Sequence, residues 1–291
     1  MRVACIDIGS NTTRLLVADH AGGALLPVVQ VRAFTQLGRA SRPQEPLAED
    51  VVASLAEVVA EQAAAAREAG ATAVRVVATA ALRRVSNGVA VCAALSGAAG
   101  RPVELLSAEE EARLAFAGAT ASLACGPAEP IGVADVGGGS SELIVGTRAD
   151  GVTWSRSLAL GSGDLADVHL CADPPVAAEL QAVRGAVAAA LAGVTAPPVT
   201  RAVAVGGSAT SLARLVGPRL DADALACAVE KLVAAPAAVV AVDHELDPAR
   251  VRLLPAGLLV LAGVVALLGP LEVADGGLRE GVVLGLATAG S

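Results

Sequence analysis

The sequence predicts an α/β protein made of two halves that open on the same unit. Three observations carry this. Short β-branched runs alternate with longer segments of helical spacing along the whole chain. The stretch Asp7-Ile8-Gly9-Ser10-Asn11-Thr12-Thr13-Arg14-Leu15-Leu16-Val17 realigns without a gap on Asp135-Val136-Gly137-Gly138-Gly139-Ser140-Ser141-Glu142-Leu143-Ile144-Val145, an offset of 128 residues. The 291 residues, 54% of them hydrophobic, suffice for two cores of ordinary size. Each half is therefore expected to begin with a buried strand ending in an acid, a turn rich in Gly and hydroxyls, and a returning strand. The two hairpins are expected to face one another across a cleft.

The elements follow in order. Val3 to Ile8 is a strand, Gly9-Ser10-Asn11 turns, and Arg14 to Ala18 returns. Leu25 to Arg32 reads as a third strand and Ala40 to Pro46 as a loop. Leu47 to Ala69 has helical spacing through Val51, Leu55, Val58 and Val59, and stops at Gly70. Ala73 to Ala78 and Val103 to Leu106 are strands, with a helix from Asn87 to Gly100 between them. Ser107 is placed to cap the next helix, which runs through Gly118, with Glu110 as its capping-box partner. Pro127 to Pro130 marks a boundary, giving domains 1–128 and 129–291, the last helix being able to pack back on the first domain. In the second half Ile131 to Asp135 and Glu142 to Gly146 flank the turn Gly137-Gly138-Gly139. Helices are expected at Pro175 to Ala192 and Ala222 to Ala235. Strand Ala202 to Val205 meets a turn, Gly206-Gly207-Ser208, before a helix from Thr210 to Leu215. An apolar helix, Ala256 to Leu268, precedes a last strand at Leu271 to Ala274 and a C-terminal helix.

Composition excludes several classes. A mean hydropathy of +0.63 raises the question of a membrane. The uncharged stretch between Arg252 and Glu272 is interrupted by Pro255, Gly257 and Gly269-Pro270. Its helical part reaches about 20 Å, short of a hydrocarbon core of about 30 Å. With one Trp, two Phe and no Tyr there is no aromatic belt. The N-terminus turns acidic at Asp7, too soon for a signal peptide, and a cytoplasmic protein is expected. Five scattered cysteines without a C-x-x-C pair read as small buried hydrophobes in a reducing compartment. A net charge of -8 and the shortage of aromatics argue against nucleic acid. Lys231, the only lysine, lies outside any Walker A pattern.

The turns suggest the chemistry. Backbone N–H groups in a Gly-rich hairpin can converge on an anion because no Cβ stands in the way. Ser10, Asn11 and Thr12 form one such cradle, and Gly137, Gly138, Gly139 and Ser140 a second. Gly206, Gly207 and Ser208, at a helix N-terminus, form a third. A tight turn alone accounts for any one of them, but three point to phosphate. An acid at a strand end beside such a cradle suits Mg²⁺, or another hard divalent cation, and Asp7 and Asp135 both sit there. His20, His169 and His244 have no metal spacing. Two readings stand for Glu109-Glu110-Glu111: complementing a helix dipole, or directing one carboxylate at a water as general base. Two also stand for Arg83-Arg84, a phosphate clamp or a solvated loop.

Taken in order, six segments resemble the exopolyphosphatase and guanosine pentaphosphate phosphohydrolase (Ppx/GppA) family. They are Ile6 to Thr12, Ala78-Thr79-Ala80-Ala81-Leu82-Arg83, Glu110-Glu111-Ala112-Arg113-Leu114, Asp135 to Glu142, Val205-Gly206-Gly207-Ser208-Ala209-Thr210 and Gly277-Leu278-Arg279-Glu280-Gly281. The resemblance implies two ribonuclease-H-like domains of the sugar kinase and actin superfamily flanking a cleft. It implies Glu111 as the base that activates water, Asp135 and Glu142 as partners that hold the metal or orient the water, Asp7 as the first-loop acid and metal ligand, and Arg83 as the phosphate clamp. Inorganic polyphosphate is the implied substrate, with guanosine pentaphosphate as the alternative. A small-molecule kinase and a non-catalytic nucleotide sensor of the same fold are readings of other classes, and a homodimer is compatible with so many small apolar residues. Two departures stand out: the extra acid Glu109, and Asp164, whose charge would oppose a polyanion facing it. The chain stops soon after Gly281, so the C-terminal histidine-aspartate domain of long family members is expected to be missing, and with it processive action on very long chains.

Overall fold

The computed structural model describes residues 1–21 and 24–289. The chain divides into two compact units, one formed by Met1–Ser122 with the segment from Gly276 onward, the other by Leu123–Asp275. The division thus falls six residues before the expected boundary at 128/129, and the C-terminal helix belongs with the first unit.

In unit one the elements are β1 (Arg2–Ile8), β2 (Thr13–Ala21), β3 (Ala24–Ala33), α1 (Leu37–Ala40), α2 (Glu49–Glu68), β4 (Ala73–Ala78), α3 (Ala80–Arg84), α4 (Gly88–Ala99), β5 (Val103–Leu105) and α5 (Ala108–Thr120). The sheet order is β3-β2-β1-β4-β5: the first three strands are antiparallel, and β4 and β5 run parallel to β1. One face packs on α2 and α4. Leu55, Val59, Gln62 and Ala66 of α2 are buried because their spacing puts them on one helical face. Gln62 is polar there because its Nε2 donates to the Thr13 carbonyl at 3.0 Å, which ties α2 to the head of β2.

Unit two contains β6 (Ile131–Val136), β7 (Ser141–Thr147), β8 (Gly151–Leu158), α6 (Ser162–His169), α7 (Ala177–Leu191), β9 (Arg201–Val205), α8 (Gly206–Val216), β10 (Arg219–Leu220), α9 (Ala222–Ala234), α10 (Ala237–Asp243), α11 (Pro248–Val251), α12 (Leu254–Leu268) and β11 (Leu271–Val273). Its sheet reads β8-β7-β6-β9-β11-β10. Three antiparallel strands again adjoin parallel ones, so each unit has the ribonuclease-H-like strand order. The apolar helix α12 is a core helix, with Leu254 to Leu261 buried throughout. No helix of the described residues is long and apolar enough to cross a membrane.

The chain then returns to unit one as α13 (Leu278–Ala289), which packs on α5 and β1. The approach of α13 to α5 is glycine against backbone. A Cβ on Gly118 would run into the Gly277 carbonyl, and one on Gly281 into that of Leu114. That closeness brings Arg279 and Glu280 up to the end of β1.

Several expectations need correction. Gly206-Gly207-Ser208 is the first turn of α8 itself, not a turn ahead of it, with Gly206 at φ +86° making the entry. The core helix starts at Leu254, because Pro255 falls in the first turn, where its missing N–H costs nothing. Ser107 accepts the Glu110 N–H at 3.1 Å, but the Glu110 carboxylate turns to Arg113 and Arg75 rather than closing a capping box. Cys5 and Cys92 are buried, whereas Cys171 and Cys227 are exposed and Cys125 half-buried. Cys227 lies off the face of α9 that carries Leu225, Ala228 and Leu232 into the core.

Candidate active site

The 128-residue repeat is a structural repeat at the level of register. Asp7 pairs with Arg14 across β1 and β2, and Asp135 with Glu142 across β6 and β7. Gly9 N–H donates to the Thr12 carbonyl at 3.1 Å, and Gly137 N–H to that of Ser140 at 3.0 Å. A Cβ on either glycine would sit 3.1 Å from that same carbonyl oxygen, which is why glycine opens both turns.

In unit one, Asp7 ends β1. Burial pushes its carboxyl up to about 6; Arg279 opposes this, Glu111 adds to it, and Arg14 and Glu280 act more weakly in opposite senses. Its Oδ1 is buried and has no hydrogen-bond partner, and the same is true of the Asn11 Nδ2 in the adjacent turn. Glu111 is 7% exposed, in the first turn of α5. Its Oε2 accepts from Arg83 Nη1 at 2.5 Å, and that same nitrogen donates to the Leu106 carbonyl at 3.0 Å. Burial raises the Glu111 carboxyl, with Arg83 pulling it back through charge and hydrogen bond. The Arg83 Nε and Nη2 groups make no hydrogen bond among the described residues, so part of the fork is available for an anion. Arg83 is thus on a short helix, α3, rather than in a solvated loop, and of the three successive glutamates Glu111 is the one turned inward.

In unit two, Glu142 is 3% exposed and its Oε1 accepts from Ser157 Oγ at 3.0 Å. Asp135 lies beside the head of α8: a Cβ on Gly206 would fall 2.7 Å from its Oδ1. Arg250, itself buried, lays its guanidinium against Gly207, 2.8–3.1 Å from where a Cβ would stand. A buried cation thus adjoins a helix N-terminus, and both favour an anion. Ser208 is buried beneath, with no hydrogen-bond partner for its Oγ. Gly138, Gly139 and Ser140 complete the second turn, held from behind by α6.

The structure therefore gathers Asp7, Ser10, Asn11, Thr12, Arg83 and Glu111 in unit one, and Asp135, Gly137 to Ser140, Glu142 and Gly206 to Ser208 in unit two. Among the described residues no three His, Cys, Asp or Glu side chains form a group that could hold a metal by themselves. Sequence reasoning assigned no role to Arg14, Arg279, Glu280, Ser157 or Arg250. The segment Gly277-Leu278-Arg279-Glu280-Gly281 was the one available signal for two of them.

Comparison with known proteins identifies the family. The model of the Ppx/GppA phosphatase family matches residues 16–289. The chain belongs to the Ppx/GppA phosphatase family. It is 30% identical over 306 residues to exopolyphosphatase 1 of Mycobacterium bovis, covering 98% of this chain and 88% of that one. It is 35% identical over 192 residues to exopolyphosphatase 2 of Mycobacterium tuberculosis, covering 63% and 59%. The chain thus spans between half and two thirds of the length of that relative. The Ppx/GppA family member of Aquifex aeolicus, known from its crystal structure, superposes with a TM-score of 0.82 at 27% identity over 100% of this chain and 99% of its own.

Proposed function

We propose that the protein is a phosphoanhydride hydrolase that releases the terminal phosphate of inorganic polyphosphate by attack of water. The observation that carries the reading is the Arg83–Glu111 pair: a buried carboxylate raised by burial, bonded to an arginine that keeps donors to spare. A carboxylate of raised basicity in a water-poor site suits proton abstraction near neutrality, and a guanidinium fork suits a phosphoryl group. The exopolyphosphatase names of the relatives support polyphosphate over guanosine pentaphosphate.

In this mechanism the terminal phosphoryl group is bound by Arg83 and by turn N–H groups. Glu111 accepts a proton as the water oxygen bonds to phosphorus, and the bridging P–O bond breaks to leave a chain one phosphate shorter. The protein positions and neutralises charge, with no covalent intermediate. A divalent cation is part of this reading. In unit one the buried Asp7 Oδ1 lacks a partner and is the kind of hard oxygen that Mg²⁺ takes while keeping most of its waters. Asp7 is the acid that would hold it in unit one, and Asp135 and Glu142 are the candidate acids of unit two; it would neutralise charge on phosphate oxygens. The protein's formal charge of -8 opposes a polyanion at long range, so attraction has to be local.

The test is phosphate release from polyphosphate and from guanosine pentaphosphate by the purified protein, each with and without Mg²⁺. The reading expects Mg²⁺-dependent release, faster from polyphosphate. Release from the nucleotide alone would replace the substrate, and release from neither would overturn the hydrolase reading.

A further inference from the structure

Both phosphate turns are held by hydrogen bonds made to their carbonyl side. In unit two the Gly137 carbonyl accepts from the N–H of Ser162 at 2.9 Å and from its Oγ at 3.1 Å. The Gly138 carbonyl accepts from the N–H groups of Gly163 at 2.9 Å and Asp164 at 3.0 Å. The first N–H groups of α6 are therefore spent on the turn and do not themselves face an anion. A trans peptide sets its N–H opposite its C=O, and the peptides of this turn are trans. The Gly138 and Gly139 N–H groups are thereby turned away from α6, and neither donates to another group among the described residues. Gly161 lets the two segments touch, since a Cβ there would run into the Gly138 carbonyl and the Gly139 nitrogen. Unit one repeats the device: the Ser10 carbonyl accepts from Gly38 N–H at 2.7 Å and the Asn11 carbonyl from Gln36 N–H at 3.0 Å.

We propose that Gly161 and Ser162 are positioning residues, which hold the Gly137–Ser140 turn so that its free N–H groups can meet a phosphate. This rests on the hydrolase reading and adds to it two residues that never touch substrate. Ser162 is 1% exposed, so its hydroxyl has no solvent role to confound the test.

The experiment compares Ser162→Ala with Ser96→Ala, a control in unit one whose hydroxyl likewise donates to a carbonyl, that of Cys92 at 2.7 Å. For each, calorimetry measures inorganic phosphate binding, and kinetics with tripolyphosphate separate KM from kcat. Both variants should lose thermal stability, Ser96→Ala at least as much as Ser162→Ala because its Oγ also accepts from the Val103 N–H at 2.9 Å. Ser162→Ala alone should bind phosphate about fivefold more weakly, the net worth of one hydrogen bond, with KM raised by a similar factor and kcat little changed. Gly161→Ala should abolish phosphate binding while circular dichroism still reports a folded chain. Equal phosphate affinity in Ser162→Ala and Ser96→Ala would overturn the inference while leaving the hydrolase reading intact. A wild-type protein that neither binds phosphate nor cleaves tripolyphosphate would overturn both.

Discussion

Asp7 is held in a state that costs stability, and Asp7→Asn measures that cost. Its carboxyl is pushed up to about 6 from an ordinary value of 3.8, chiefly by burial. The shift of about two units corresponds to about 3 kcal/mol. The sign follows from proton counts. Between the unfolded and folded values the native state holds a proton that the unfolded chain has released. Stability from this group is therefore fully present below the unfolded value, falls as pH rises through about 6, and is absent above it. Asn cannot ionise, so the variant should match wild type near about pH 4 and exceed it by up to about 3 kcal/mol near about pH 8. Urea unfolding in EDTA at several pH values, followed by far-ultraviolet circular dichroism, gives the difference. Trp154, the only tryptophan, lies on β8 in unit two, so its fluorescence should report a transition that the substitution leaves in place. Added Mg²⁺ should then stabilise wild type more than the variant. A variant less stable than wild type near about pH 8, or a difference that does not change with pH, would refute the reasoning.

Glu111→Gln should abolish turnover yet bind inorganic phosphate several-fold more tightly, because the Arg83 nitrogen now 2.5 Å from Glu111 is freed from a carboxylate; calorimetry reads this directly. Arg83→Lys keeps the charge but loses the fork, and KM for tripolyphosphate should rise about tenfold. Gly281→Ala places a Cβ against the Leu114 carbonyl, so overpacking should destabilise unit one by about 2 kcal/mol, seen in circular dichroism.

The hairpins were legible because turn signals are local. An acid, a glycine and hydroxyls at fixed spacing favour a turn, and the offset makes the two hairpins equivalent; the pairs Asp7/Arg14 and Asp135/Glu142 are the register the structure adds. Glu111 was visible as one of three acids, but choosing among them required burial, which depends on how α5 sits against its sheet. The Arg83–Glu111 bond joins residues 28 apart that no periodicity links. Arg279 reaches Asp7 only because α13 returns to unit one across glycine contacts with α5. The strand β8 went unread because it is an edge strand in which Thr153, Ser155, Arg156 and Ser157 break the apolar run, leaving Trp154 and Leu158 to carry its inner face. The helix α6 went unread because Gly161-Ser162-Gly163 has the composition of a loop; its glycines are there to approach Gly138. Asp164, singled out for its charge, has its backbone N–H committed to the Gly138 carbonyl.

The central claim is that Glu111 drives hydrolysis of a phosphoanhydride, and one measurement tests it most directly. Phosphate release from medium-length polyphosphate in Mg²⁺ is followed for wild type and for Glu111→Gln, with both shown to be folded. The account predicts steady release of single phosphates by wild type and none above background by the variant. Equal release by the two proteins, or none by wild type, would contradict it.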